Sequence, residues 1–267
     1  MSVIHRNVTR VILNATEVTQ YTRTPSGDLL PFELTASDKL YLGFYGKFTS
    51  RYFDFDTLNA TGTVVSVKQW DGTAFVPVED VIDQTVGFTR SGFLSWQNTD
   101  RWEKSAISPI DDKELYWVEV TVNSTLDVGT TLQSLVNIFC DTDLLRAFYP
   151  EIVTDPRYLP TGRDDFMEQF IAAKDGIVLR LKQDGIIQDE SQIIDINQVA
   201  VAAANYTAYL ILFPIARDEG DEETLSRAFS EYNRQLNSSH KSFDLNKSGK
   251  IDESEENIGT VYIQRGG

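Results

Sequence analysis

Residues 244–255 read Asp-Leu-Asn-Lys-Ser-Gly-Lys-Ile-Asp-Glu-Ser-Glu. Asp244, Asn246 and Ser248 fall at positions 1, 3 and 5 of this twelve-residue run, Asp252 at 9 and Glu255 at 12. Lys250 at position 7 offers its backbone carbonyl, Gly249 holds the sharp-turn position 6, and Ile251 fills the apolar position 8. Hard oxygens at this spacing, with three carboxylates to offset a divalent charge, are the ligand set of a calcium loop. The sequence predicts a structural Ca²⁺ site at Asp244, Asn246, Ser248, Lys250, Asp252 and Glu255. No second loop accompanies it, so a staple is expected and not a sensor.

Chemistry of other kinds is thin. The chain has two histidines, His5 and His240, and one cysteine, Cys140. One thiol makes neither an internal disulfide nor a thiolate metal cluster, and two histidines leave little for a zinc site or a triad. No P-loop, GxGxxG, GxSxG or HExxH string occurs. Asp111-Asp112 and Asp164-Asp165 are adjacent, so their side chains diverge on a strand or helix. They read as turn and helix-start residues, and no enzyme is expected.

The loop follows a helical half. Phe166, Phe170, Ala173, Ile177 and Leu181 recur every three or four residues, one apolar stripe ending near Asp184-Gly185. Asp164 and Asp165 suit the start of that helix. A second helix, 198–213, is apolar nearly all round; its Ala content, Asn205, Thr207 and Pro214 point to a buried central helix and not a membrane span. The third, 221–240, carries Leu225, Phe229, Tyr232 and Leu236 on one face and is expected to enter the calcium loop. Beyond the loop, Thr260, Val261, Tyr262, Ile263 and Gln264 form a short β-prone run that needs a partner, since a lone strand is unstable in water.

The first half reads differently. Fifteen of the 30 aromatics lie between Tyr41 and Trp117. Leu40, Leu42 and Phe44 alternate with Tyr41 and Gly43, as do Tyr116, Val118, Val120 and Val122 with Trp117, Glu119 and Thr121. This is the two-residue period of strands. Asp71-Gly72 between two such runs predicts a tight type I′ hairpin. The fold class expected is α+β and multidomain: an antiparallel, jelly-roll-like β-sandwich, then a three-helix bundle with an EF-hand-like loop and a terminal strand. The expected divisions are an N-terminal arm (1–38), sandwich (39–145), linker (146–163), bundle (164–240), and loop with strand (241–267).

Acidity bounds the partners. Asp plus Glu is 40 against 24 Lys plus Arg, a net charge of −16. Residues 1–150 carry 12 basic and 19 acidic groups, and 151–267 carry 12 and 21, so the charge is spread along the chain. Such a balance opposes phosphate neutralisation on nucleic acid. The opening residues lack a long apolar run, so synthesis in a cytosol is expected.

The string Leu-Lys-Gln-Asp-Gly-Ile-Ile-Gln-Asp (181–189), the Ala-rich helix, the third helix with Tyr232 and Arg234, and Phe243–Glu255 before a short basic terminal strand resemble head–tail adaptor, or connector, proteins of tailed bacteriophages. The β-rich half, with Leu40-Tyr41-Leu42-Gly43-Phe44, Trp70-Asp71-Gly72 and Tyr116-Trp117, is similar to sandwich domains of phage neck and tail proteins. The resemblance implies a virion component assembled in the host cytoplasm: a homo-oligomeric ring under the portal protein. The terminal strand would grip the portal, with other neck or tail proteins adjacent. DNA would pass an acidic lining without specific binding, and no membrane is involved. The other class of function is a carbohydrate-binding or adhesin module that stacks sugars on Trp96, Trp102 and Tyr45.

Overall fold

In the computed structural model, residues 10–19, 29–160, 163–216, 219–237, 242–252 and Glu255 are described. The chain divides into two compact units, Met1–Asn137 and Ile138–Gly267.

The first unit is all β among its described residues. Its strands are β1 (Arg10–Leu13), β2 (Thr16–Glu17), β3 (Leu30–Pro31), β4 (Leu40–Phe44), β5 (Ser50–Thr57), β6 (Val65–Trp70), β7 (Phe75–Pro77), β8 (Glu79–Asp83), β9 (Gly92–Gln97), β10 (Lys104–Ile107), β11 (Asp111–Val122) and β12 (Thr131–Val136). They form two antiparallel sheets. One runs β2-β1-β4-β11-β6-β7 with β10 also on β11, the other β3-β12-β5-β9-β8. Leu40, Leu42, Phe44, Val118, Val120 and Val122 from the first sheet share one core with Phe53, Phe55, Leu94, Trp96, Leu132 and Leu135 from the second. Two sheets closing on one core is sandwich-like packing.

The predicted alternation of β4 holds, yet all five residues are buried. The outward-facing set is covered by a second apolar cluster of Ile12, Tyr41, Ile107, Leu115 and Trp117. Gly43 is required there, because a Cβ would lie 2.7 Å from the Trp117 ring. Strand β1 belongs to the first sheet, pairing Arg10–Leu13 with Gly43–Leu40. Part of the expected arm is therefore sheet, because Val11 and Ile12 each bury against a different cluster.

The turn at Asp71-Gly72 is also corrected. Only Gly72 has positive φ, at +95°. The loop is wider than a type I′ turn because Asp71 Oδ1 accepts from the backbone N–H groups of Thr73 and Ala74, at 2.9 and 2.8 Å. A short acidic side chain substituting for a backbone turn in this way is an Asx-type device.

Every end of the two strand paths is blunted. Strand β2 has two residues, β3 contains Pro31 and β7 ends at Pro77. Strand β8 is interrupted by a register shift between Glu79 and Ile82, with Asp80 at φ +47°. Short, proline-bearing or bulged edges resist strand addition.

The second unit is helical among its described residues: α1 (Thr142–Phe148), α2 (Pro150–Thr154), α3 (Met167–Gln183), α4 (Asn197–Leu212) and α5 (Glu219–Leu236). Residues 146–163, expected as a linker, instead contain the last three residues of α1, all of α2 and a 3-10 turn at Pro156–Tyr158. Prolines here start helical turns, where a missing N–H costs nothing. The predicted stripe is buried on α3: Phe170, Ala173, Ile177 and Leu181, with Phe166 at its N-cap. Asp165 Oδ1 accepts from Met167 N at 2.8 Å, the expected acidic start. Helix α4 buries nine residues, including Asn205 and Thr207, as a central helix should. Among the described residues no helix is long and apolar enough to cross a membrane.

Cys140 is buried, its Sγ 3.5 Å from Thr207 Oγ1, and burial pushes the thiol pKa up to about 12. The thiolate is the reactive form, and three pH units of suppression correspond to about 1,000-fold slower alkylation below both pKa values. Cys140 is expected to label only when the second unit opens. Rapid modification by a maleimide in native buffer would contradict this packing.

Candidate functional site

The six predicted calcium-loop residues lie together. Lys247 and Gly249 adopt positive φ, +60° and +90°, and the chain turns back on itself between them. Asp244 is buried; its Oδ1 accepts from Ser248 N at 2.8 Å and its Oδ2 from Gly249 N at 2.6 Å. Asn246 Nδ2 donates to Asp252 Oδ2 at 2.7 Å, and Ser248 Oγ donates to the Lys250 carbonyl at 3.0 Å. Glu255, also buried, closes the loop: Oε1 accepts from Asn246 N at 3.0 Å and Oε2 from Asp252 N at 3.1 Å. Positions 1, 3, 5, 7, 9 and 12 are thus linked to one another, and position 12 returns to positions 3 and 9.

Among the described residues, no group of three or more His, Cys, Asp or Glu side chains is gathered closely enough to hold a metal ion. The carboxylates of Asp244 and Glu255 point at backbone amides, although each oxygen keeps further lone-pair capacity. The donor types suit Ca²⁺.

The expected entry into the loop is corrected. Helix α5 ends at Leu236, and Ser242 and Phe243 are not helical. Asn237, a turn residue, follows Leu236, and an Asn side chain competes for backbone groups and weakens a helix. The loop is held instead by the segment between α3 and α4. Asp244 N donates to the Gln192 carbonyl at 3.0 Å, and Gln192 Nε2 donates to the Leu245 carbonyl at 3.1 Å. Gln192 is itself fixed in a capping box with Asp189, and Lys174 on α3 reaches Glu190 Oε2 at 3.1 Å. The Asp189-to-Gln192 spacing was the available signal for this anchor, and sequence reasoning missed it. The predicted contact residues Thr260, Val261, Tyr262, Ile263 and Gln264 lie outside the described residues.

The sugar-stacking surface is not present as predicted. Trp96 and Trp102 are each 3% exposed and belong to the sandwich core. Trp102 lies 5.1 Å from Phe48 and 5.4 Å from Tyr116, centroid to centroid, and its Nε1 donates to the Trp117 carbonyl at 3.0 Å. Only Tyr45 of the three rings is exposed.

Exposed aromatics occur elsewhere, on the helical unit. Tyr209 of α4 lies 4.9 Å from Phe229 of α5 and 5.4 Å from Phe213, while Tyr206 stacks on Tyr232 at 4.5 Å. Phe213 is 65% and Phe229 45% exposed. On α3, Gly176 gives Tyr206 room, since a Cβ there would strike the Tyr206 ring. One turn on is Leu179, 56% exposed. Of the helical face carrying Leu225, Phe229, Tyr232 and Leu236, Tyr232 and Leu236 are buried while Phe229 is exposed. Phe213, Tyr209 and Phe229 are in ring contact, and a contiguous exposed apolar patch marks a contact site.

Comparison with protein-family models and with curated proteins finds no match to this sequence.

Proposed function

We propose that this protein is a structural subunit of a tailed-phage neck, a connector ring member joining portal to tail through protein contacts. The observation that carries this reading is the pair of exposed rings Phe213 and Phe229, bridged by the half-buried Tyr209, on an acidic molecule. A ring of identical subunits needs such a surface, matched by a different one on the neighbour. The blunted sheet edges agree, because they turn assembly away from strand addition in the sandwich. The sandwich would be jelly-roll-like and would project outward or towards the next ring. Thr260–Gln264 would serve as the grip on the portal protein, and the net charge of −16 would keep passing DNA from adhering.

In the same reading Ca²⁺ occupies the 244–255 loop. Asp244, Asn246, Ser248, Asp252 and Glu255 would hold it with the Lys250 carbonyl, and the ion would fasten the C-terminal segment to the Asp189–Gln192 anchor. Its role is structural.

Replacing Phe213 and Phe229 together by serine tests the contact face. Sedimentation velocity of the full chain is expected to show loss of the assembled species with no change in the circular dichroism spectrum. Undiminished assembly by the double variant would contradict the reading.

A further inference from the structure

Lys174 sits on α3 with only 1% of its surface exposed. Its Nζ lies 2.8 Å from Asp175 Oδ1 and 3.1 Å from Glu190 Oε2. The Asp175 side chain is half exposed, whereas that of Glu190 is largely buried. Solvent therefore screens the attraction to Glu190 less. An ammonium taken out of water needs a close counter-charge to offset its lost hydration, so Lys174 and Glu190 hold each other in place.

Glu190 opens the 3-10 turn Glu190–Gln192 between α3 and α4. The turn is braced from within. Asp189 Oδ1 accepts from Ser191 N at 2.8 Å, and Gln192 Oε1 accepts from Gln188 N and Asp189 N at 2.6 and 2.9 Å. Gln192 also carries the two bonds to the 244–255 loop, its carbonyl accepting from Asp244 N and its Nε2 donating to the Leu245 carbonyl. Asp244 is position 1 of that loop. A further tie, from Ser242 N to Gln198 Oε1 at 2.5 Å, joins the approach to the loop to the first turn of α4. One path of charge and hydrogen bonds thus runs from the buried ammonium through Glu190 and Gln192 to the first ligand of the loop.

We propose that Lys174 is a positioning residue for the cation of the 244–255 loop: with Glu190 it holds the Glu190–Gln192 turn, and the turn holds Asp244 where the first ligand must stand. The inference rests on the calcium reading and deepens it, naming what sets the affinity of the loop. Its sign is diagnostic. A lysine acting on a cation through charge alone repels it, so removing that lysine would tighten binding. A lysine acting through the turn supports the site, and its removal weakens binding in spite of the lost repulsion. Linkage makes the effect reciprocal: an ion that favours the positioned turn stabilises the Lys174–Glu190 pair, and the part of α3 around it, by the same factor.

The test is calorimetric titration of calcium into the full chain. Wild type is compared with Lys174→Met, which keeps a long apolar stem and removes the ammonium, and with Gln192→Ala, which removes hydrogen bonds to the turn and the loop without changing charge. Both variants are expected to raise the calcium dissociation constant tenfold or more. A side chain that merely stabilised the fold would lower the melting temperature equally in calcium and in EDTA and leave the dissociation constant unchanged. In the wild type, which needs no variant to fold, calcium should slow amide hydrogen exchange over residues 170–192 as well as over the loop. A Lys174→Met chain that binds calcium as tightly as wild type, or more tightly, overturns the assignment and leaves the calcium site standing, as does protection confined to the loop itself. A wild-type chain that takes up no calcium overturns the calcium reading and the assignment with it, and is recognised without any variant.

Discussion

Trp102→Ala is expected to lower the unfolding free energy of the sandwich-like unit by about 3–5 kcal/mol, the range for removing a large aromatic from a packed core. The indole is almost fully buried, touches the Phe48 and Tyr116 rings, and caps the Trp117 carbonyl. Its loss would leave both a cavity and a buried acceptor without its indole donor, and these penalties add. Trp96→Phe is the control: Trp96 Nε1 is buried with no hydrogen-bond partner, so the smaller ring removes an unsatisfied donor together with some volume. Urea unfolding followed by tryptophan fluorescence should show a large shift for Trp102→Ala and a small one for Trp96→Phe. A Trp102→Ala protein of native stability that had lost glycan binding would instead support the carbohydrate-binding class.

Calcium is expected to raise the melting temperature of the helical unit by several degrees over the same sample in EDTA. A ligand at 100 times its dissociation constant stabilises by about 2.7 kcal/mol when it binds only the folded state, and each kcal/mol moves the midpoint of a domain this size by a few degrees. The combination Asp244→Asn and Glu255→Gln keeps side-chain size and removes two of the three ligand charges, so the difference should vanish. Asp244 and Glu255 also close the loop without a metal, through the amides of Ser248, Gly249, Asn246 and Asp252. Part of the variant's destabilisation should therefore persist in EDTA. Calorimetry with identical traces in calcium and EDTA would remove the ion from the account.

How far these elements were legible depended on whether their cause was local. The stripe Phe166 to Leu181 and the apolar 198–213 segment became α3 and α4 within a residue or two, because periodicity and burial agree there. The alternation in β4 and β11 was equally readable. What covers the outer face of that sheet was not, because Ile12, Ile107 and Trp117 come from distant strands. The loop at 244–255 could be read residue by residue, since its spacing is its geometry. Its anchor could not be read from the loop alone: Gln192 lies more than fifty positions from Leu245, and only the fold joins them. The assignment of Trp96 and Trp102 to a sugar surface failed for the same reason. Aromatic content says nothing of which side of a sheet a ring occupies, and both rings belong to the core between the sheets.

Native mass spectrometry of the purified full-length chain in calcium tests the account most directly. The account predicts one dominant closed species whose mass is a fixed integer multiple of the single chain, giving way to smaller species when Phe213 and Phe229 are both serine. A stable monomer at every protein concentration, with or without calcium, would contradict it.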